Sequence, residues 1–304
     1  MDEVIERHEK ASIGALQCCT AKGASPNLLG LPALHCSITP PLDFPVNTVV
    51  ALAAIVIKEL YRRKDFYVLF VLTALLTLLA GSINIFSDPK IVRYLKEICL
   101  LLIWVSALVI AIVTTARQLP AERENRTIFP LLAKPVTRGQ VVLGKFAGCW
   151  LACGLALLVF YIFSGLVSGS REHYWPILNY LQALWLQWDM LAIVIALVLL
   201  GSVVFTAPSS NATICFIVVV GILLLGGHLN QVALQQPKLL GTLVSTIYFL
   251  IPHLEWYDVR ELVVFNRGLI GWLDCGLATL YAAAYVALLL FATWLVFRRK
   301  PLSV

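Results

Sequence analysis

Long apolar blocks alternate with short polar stretches along this chain. Phe66–Phe86, Ile98–Thr115, Val141–Val167, Leu184–Ala207, Ala212–Leu229 and Leu277–Phe297 each approach the roughly 20 residues that a helix needs to cross a hydrocarbon core. The pattern predicts six transmembrane helices in an all-α integral membrane protein. Ahead of them, VNTVVALAAIVIKELYRRK (Val46–Lys64) carries an apolar run, Val49–Ile57, too short to cross, followed by Arg62, Arg63 and Lys64. That suits an N-terminal interfacial helix anchored by its basic end; running it on into the first span would put Arg62, Arg63 and Asp65 in lipid. Before the last span, Leu239–Ile251 stops at Pro252 and is short for a crossing, so a re-entrant or outer-interface helix is predicted. HLEWYDVRELVVF follows, with Glu255, Asp258 and Glu261 three apart, and predicts an amphipathic helix on the outer surface. Trp185, Trp188 and Asp189, at the start of the fourth span, look like an outer interface belt. Asp274, ahead of the last span, is placed to be its N-cap.

Composition agrees. The 304 residues are 60% hydrophobic and 13% charged, against about a quarter charged in soluble domains. The net charge of +6 sits mostly at the ends of spans, which is topology information and not a nucleic-acid-binding stripe. With both termini inside, the inner face holds thirteen lysines and arginines: Lys58, Arg62, Arg63, Lys64, Arg117, Arg123, Arg126, Lys134, Arg138, Lys145, Arg298, Arg299 and Lys300. The outer face holds seven: Lys90, Arg93, Lys96, Arg171, Lys238, Arg260 and Arg267. The bias puts both termini in the cytoplasm, with the chain as a multi-pass protein of the cell (inner or plasma) membrane. Residues 1–45, rich in Pro, Gly, Ser and Asn after a charged start, read as a poorly ordered cytoplasmic tail without a signal-peptide pattern. The body of the protein is 46–300.

Several apparent chemistries fall away. Gly139-x-x-x-x-Gly144-Lys145 fits the first part of a phosphate-binding loop, but Phe146 stands where Ser or Thr must bind magnesium, and the segment opens a spanning helix. Glu122-x-Glu124 resembles the acidic signature of membrane proteases, yet it lies in a loop and none of the five histidines falls mid-span. His253, Glu255 and Asp258 make a poor metal set, favouring a solvated helix face. Cys149 and Cys153, one turn apart, read as packing residues. Two methionines argue against a methionine-lined copper path. The spans carry almost no charge, which argues against an ion relay. Gly144-x-x-x-Gly148 and Gly165-x-x-x-Gly169 permit close helix approach. No catalytic residue, cofactor or metal is expected.

The polar island Ala116–Lys145, ARQLPAERENRTIFPLLAKPVTRGQVVLGK, remains. Pro120 suits the first turn of a short helix, Glu122 and Glu124 favour its positive end, and Ile128, Phe129, Leu131 and Leu132 give it an apolar side. Pro135 ends it. Glu122-x-Glu124-x-x-Thr127, then Leu131-Leu132-x-Lys134-Pro135-Val136-x-Arg138, then Leu143-Gly144-Lys145 resemble the loop after the second span of ABC transporter permeases of the ABC-2 type. Asn125-Arg126 departs from the Glu-Gly that often precedes Thr127 there. The span count, the interfacial helix and the re-entrant segment extend the resemblance over about 46–300. It is nearest to the permeases associated with multicopper-enzyme maturation.

The resemblance implies the transmembrane permease subunit of an ATP-driven ABC exporter. Loop 116–140 would be its cytoplasmic coupling loop, with Glu122, Glu124, Arg126, Thr127, Phe129, Leu131, Leu132, Pro135, Arg138 and Lys145 coupling to the partner. The implied partners are a cytoplasmic ABC ATPase subunit, a second permease subunit and membrane lipid. ATP hydrolysis would belong to the partner, so the chain itself is not an enzyme. The alternative is a non-transporting membrane scaffold that recruits a soluble partner through the same loop.

Overall fold

The computed structural model describes residues 45–62, 67, 71, 74–75, 89–120, 137–172, 176–235, 251–265 and 268–299. They are mostly helical, with no strand among the described residues, and belong to the compact unit Asp43–Val304. The elements are α1 (Pro45–Arg62), α2 (Pro89–Ala116), α3 (Arg138–Glu172), α4 (Ile177–Val204), α5 (Pro208–Gln235), a single 3₁₀ turn (Leu254–Tyr257), α6 (Arg260–Val264) and α7 (Trp272–Arg299). Pro45, Pro89 and Pro208 each open a helix, where the fixed φ is already helical and the missing N–H has no intrahelical partner.

Among the described residues, four stretches are long and apolar enough to cross a membrane: Lys96–Pro120, Arg138–Gly169, Ile177–Val204 and Trp272–Arg299; Pro208–Leu224 is a shorter apolar helix. The expected second, third, fourth and last spans fall mainly within the four, and Ala212–Leu229 falls within α5. The expected first span, Phe66–Phe86, is described at four residues only, and Leu239–Ile251 lies outside the described residues. Helix α4 is the hub, packing on α2, α3, α5, α6 and α7. Every residue from Asp189 to Ala196 on it is buried, around the whole helix circumference, as a helix enclosed by others requires.

Helix α1 packs chiefly on α3, and Gly144 and Gly148 are the reason. A Cβ on Gly144 would stand 2.6 Å from the Leu52 Cβ, and one on Gly148 would stand 2.7 Å from the Val56 Cβ. The small-x-x-x-small spacing therefore seats α1 against its own chain, with backbones closer than larger residues allow.

Three expectations are corrected. Trp188 and Asp189 are not an outer belt: α4 begins at Ile177, so both lie well inside it, and Asp189 is 5% exposed. Asn179 and Gln182, ahead of the expected start at Leu184, are buried on the same helix, as is Gln187. The stretch 253–265 is not one surface helix either. It breaks at Asp258–Val259, and Leu254, Tyr257, Leu262, Val263 and Val264 are buried in the bundle, while Trp256 and Phe265 are exposed. Its polar side is closed by Arg260, which donates two hydrogen bonds to the Asp258 carboxylate at 2.6 and 2.5 Å. Those bonds raise the Arg260 pKa above its usual value. Finally, Asp274 lies in the first turn of α7 and is not its cap. There it still complements the positive end of the helix dipole.

Candidate coupling site

The chain enters and leaves the central island through helix ends that are tied to one another. A helical stretch resumes after α2 over residues 118–120, and Leu119 is fully buried. Leu119, Val142, Leu199, Val203 and Phe297 form one apolar cluster, so the end of α2, the start of α3 and the ends of α4 and α7 meet there. Thr137 begins α3 with a reciprocal capping pair. Its backbone N–H donates to Gln140 Oε1 at 2.8 Å, and the Gln140 N–H donates to Thr137 Oγ1 at 3.3 Å. Two of the N–H groups that a helix start leaves open are satisfied this way.

Arg138 reaches the end of α7. Its Nη1 donates to the Phe297 carbonyl at 2.7 Å and to the Arg298 carbonyl at 3.1 Å, with the guanidinium over the Phe297 ring. A cation at a helix C-terminus meets both open carbonyls and the negative end of the dipole. Lys145, at 2% exposed, is buried. Its Nζ approaches the Gln118 carbonyl and the Gln118 Oε1, at 3.5 and 3.4 Å, bridging the helices on either side of the loop. Asn211, fully buried at the start of α5, adds a third tie. Its Nδ2 donates to the carbonyls of Val198 on α4 and Ala116 at the end of α2, at 3.3 and 3.5 Å. Glu122, Glu124, Arg126, Thr127, Phe129, Leu131, Leu132 and Pro135 lie outside the described residues.

A family model described as ABC-2 family transporter protein matches residues 48–302. The chain belongs to the ABC-2 transporter family. No curated protein matches it. As an ABC-2-type permease it is a multi-pass membrane component of transport, in a family that normally works with an ATPase subunit and is not itself catalytic. The phosphate-loop look-alike in this permease, Gly139 to Lys145, is continuous α-helix and not a loop wrapped around a phosphate.

Sequence reasoning missed Gln118 and Asn211. Both lie beside the end of α2, where open carbonyls call for donors: Asn211 donates to the Ala116 carbonyl, and Gln118 accepts from Lys145. That position was the available signal.

Proposed function

We propose that this chain is the transmembrane subunit of an ATP-driven ABC exporter, working as a dimer with two cytoplasmic ATPase subunits. Loop 116–140 is then its coupling element, with both chain termini in the cytoplasm. The observation that carries the reading is the clamp around the loop. Lys145 bridges to Gln118, Arg138 holds the end of α7, and Leu119, Val142 and Phe297 share one cluster. A displacement of the loop would therefore reach α2, α3 and α7 together, as a rigid network passes strain. Glu122, Glu124, Phe129 and Leu132 supply the charged and apolar docking side. On the similarity of its loop we place it nearest the permeases associated with multicopper-enzyme maturation.

Replacing Glu122, Glu124, Phe129 and Leu132 together by Ala is expected to lower substrate-coupled ATPase activity while membrane insertion is unchanged. Unchanged transport in that variant rules the coupling role out. Affinity purification of the chain from its host's membranes in mild detergent comes first. A stoichiometric ATPase partner, lost when residues 120–135 are scrambled, supports the permease reading. A non-ATPase partner moves the scaffold reading to the front.

A further inference from the structure

Asp189 lies far from either end of α4: twelve residues from Ile177 and fifteen from Val204, or about 18 and 22 Å along the axis. Asp189 is 5% exposed, and among the described residues no cation is paired with its carboxylate. Among the described residues its one hydrogen bond comes from Thr279 on α7, whose Oγ1 donates to Asp189 Oδ2 at 2.7 Å. The Trp185 indole N–H donates in turn to that hydroxyl, at 2.9 Å, which polarises it toward the carboxylate. The second oxygen, Oδ1, receives nothing from the described residues. An ionised carboxylate accepts at about four lone-pair sites, and in hydrocarbon it is costly unless paired.

What the carboxylate faces is a groove. Asp189 and Thr279 line a cavity of about 680 Å³ between α3, α4 and α7, within the roughly 300–1,000 Å³ of small-molecule sites. Its other walls are apolar, among them Phe146 and Trp150 on α3 and Ala283, Ala287 and Trp294 on α7. Alanines on α7 leave the width, and Thr279 to Trp294 gives a length of about 22 Å along that helix. One end thus offers a negative group short of donors, and the remainder offers hydrocarbon contact.

We propose that this groove is a binding site for a single-chain cationic amphiphile drawn from the membrane, its ammonium paired with Asp189 and its alkyl chain laid along α7. The inference goes beyond the family and is independent of ATP coupling. A primary ammonium supplies the donors that Oδ1 lacks, and charge-assisted hydrogen bonds are the stronger class.

The test uses the full-length chain in lipid nanodiscs with ω-bromoundecylamine, whose bromine quenches nearby tryptophans, and ω-bromoundecanol as the neutral equivalent. The readout is the saturable quenching that unbrominated undecylamine displaces. The amine is expected to bind more tightly than the alcohol by about tenfold or more, as a charge-assisted hydrogen bond supplies. Asp189→Asn should erase that preference, and Ala283→Trp should abolish saturable quenching by both probes. The proposal is overturned by equal affinity for amine and alcohol, which makes the groove a slot for any alkyl chain. Absence of saturable quenching also overturns it, giving the groove to another occupant such as a second copy of the chain. The comparison of probes on the unaltered protein decides the matter even if Asp189→Asn does not fold. Thr279→Val, which keeps the carboxylate, should retain the amine preference.

Discussion

Trp150 and Trp188 hold α3 to α4 through a reciprocal pair of hydrogen bonds. Each indole N–H donates to the other residue's backbone carbonyl, at 3.2 and 3.1 Å, while the rings stack with centroids 4.5 Å apart. Both donors are therefore satisfied away from water, as membrane burial of an indole requires. Gly154 makes the arrangement possible: a Cβ there would stand 2.4 Å from the Trp188 Nε1.

Gly154→Ala should therefore cost more than Trp150→Phe. The alanine forces the Trp188 ring aside, an overpacking that costs about 1–3 kcal/mol. The phenylalanine keeps much of the stack and loses one donor, and an interhelical hydrogen bond in a membrane averages about 0.6 kcal/mol. Thermal unfolding in detergent, followed by tryptophan fluorescence, gives the order. The reverse order would mean that the hydrogen bonds, and not the fit, hold the two helices together.

Arg138→Ala is expected to fray the last turn of α7. It removes the donors to the Phe297 and Arg298 carbonyls and the cation at the negative end of the dipole, together about 1–2 kcal/mol. Amide exchange should quicken in residues 297–299 and stay the same at the Trp272 end. Arg138→Lys should recover part of the effect, since an ammonium supplies the charge without the planar fork. Equal exchange in all three proteins would show that the last turn is held by something else.

The second, third, fourth and last spans were legible because about 20 consecutive apolar residues have few alternatives to a crossing helix. Where α4 begins was not. The expected start at Leu184 put Trp185, Trp188 and Asp189 at the outer end of the span; in the structure Asn179, Gln182 and Asp189 recur at helical spacing and bond in turn to α6, to the segment ahead of α7 and to α7 itself. The Asn179 Nδ2 donates to the Leu262 carbonyl, Gln182 exchanges hydrogen bonds with the backbone of Ile270, and Asp189 accepts from Thr279. Polar residues on one stripe of a spanning helix mark its protein-facing side, and that periodicity was the signal passed over. Gly144 and Gly148 announced a close approach, but the helix that fills it could not be named from spacing alone. Of the candidate coupling residues, Arg138 and Lys145 are described, and both bond to helix ends that sequence cannot pair.

Asn211 separates shape from charge. Its amide donates to two carbonyls while its Oδ1 accepts from the Cys215 thiol at 3.2 Å. Asn211→Ala leaves the carbonyls of Ala116 and Val198 without this donor, a loss of about 1–3 kcal/mol. Asn211→Asp keeps the shape but turns an oxygen on each carbonyl and adds a buried charge. It should be the worse of the two in thermal unfolding, although it is the closer isostere. If the aspartate variant proves as stable as the parent, the donor role of Asn211 is wrong.

The seat of α1 gives the sharpest test of packing. Helix α1 has 18 residues, near the length at which an isolated helix is marginal in water, so its order depends on what it leans against. Leu52, Ala53 and Val56 are buried, while Val50, Ile55 and Lys58 are exposed, and the buried set includes the residues that Gly144 and Gly148 receive. Leucine at both glycine positions would occupy the space now filled by Leu52 and Val56 and lift α1 from α3. Trypsin cleavage after Lys58, identified by mass spectrometry, should then quicken by roughly tenfold for each 1.4 kcal/mol of lost seating energy, because cleavage follows the population of the locally open state. Helices α3 and α4 should keep their protection, since their contacts with each other do not use these glycines. An unchanged rate at Lys58 would mean that lipid, and not α3, holds α1 in place.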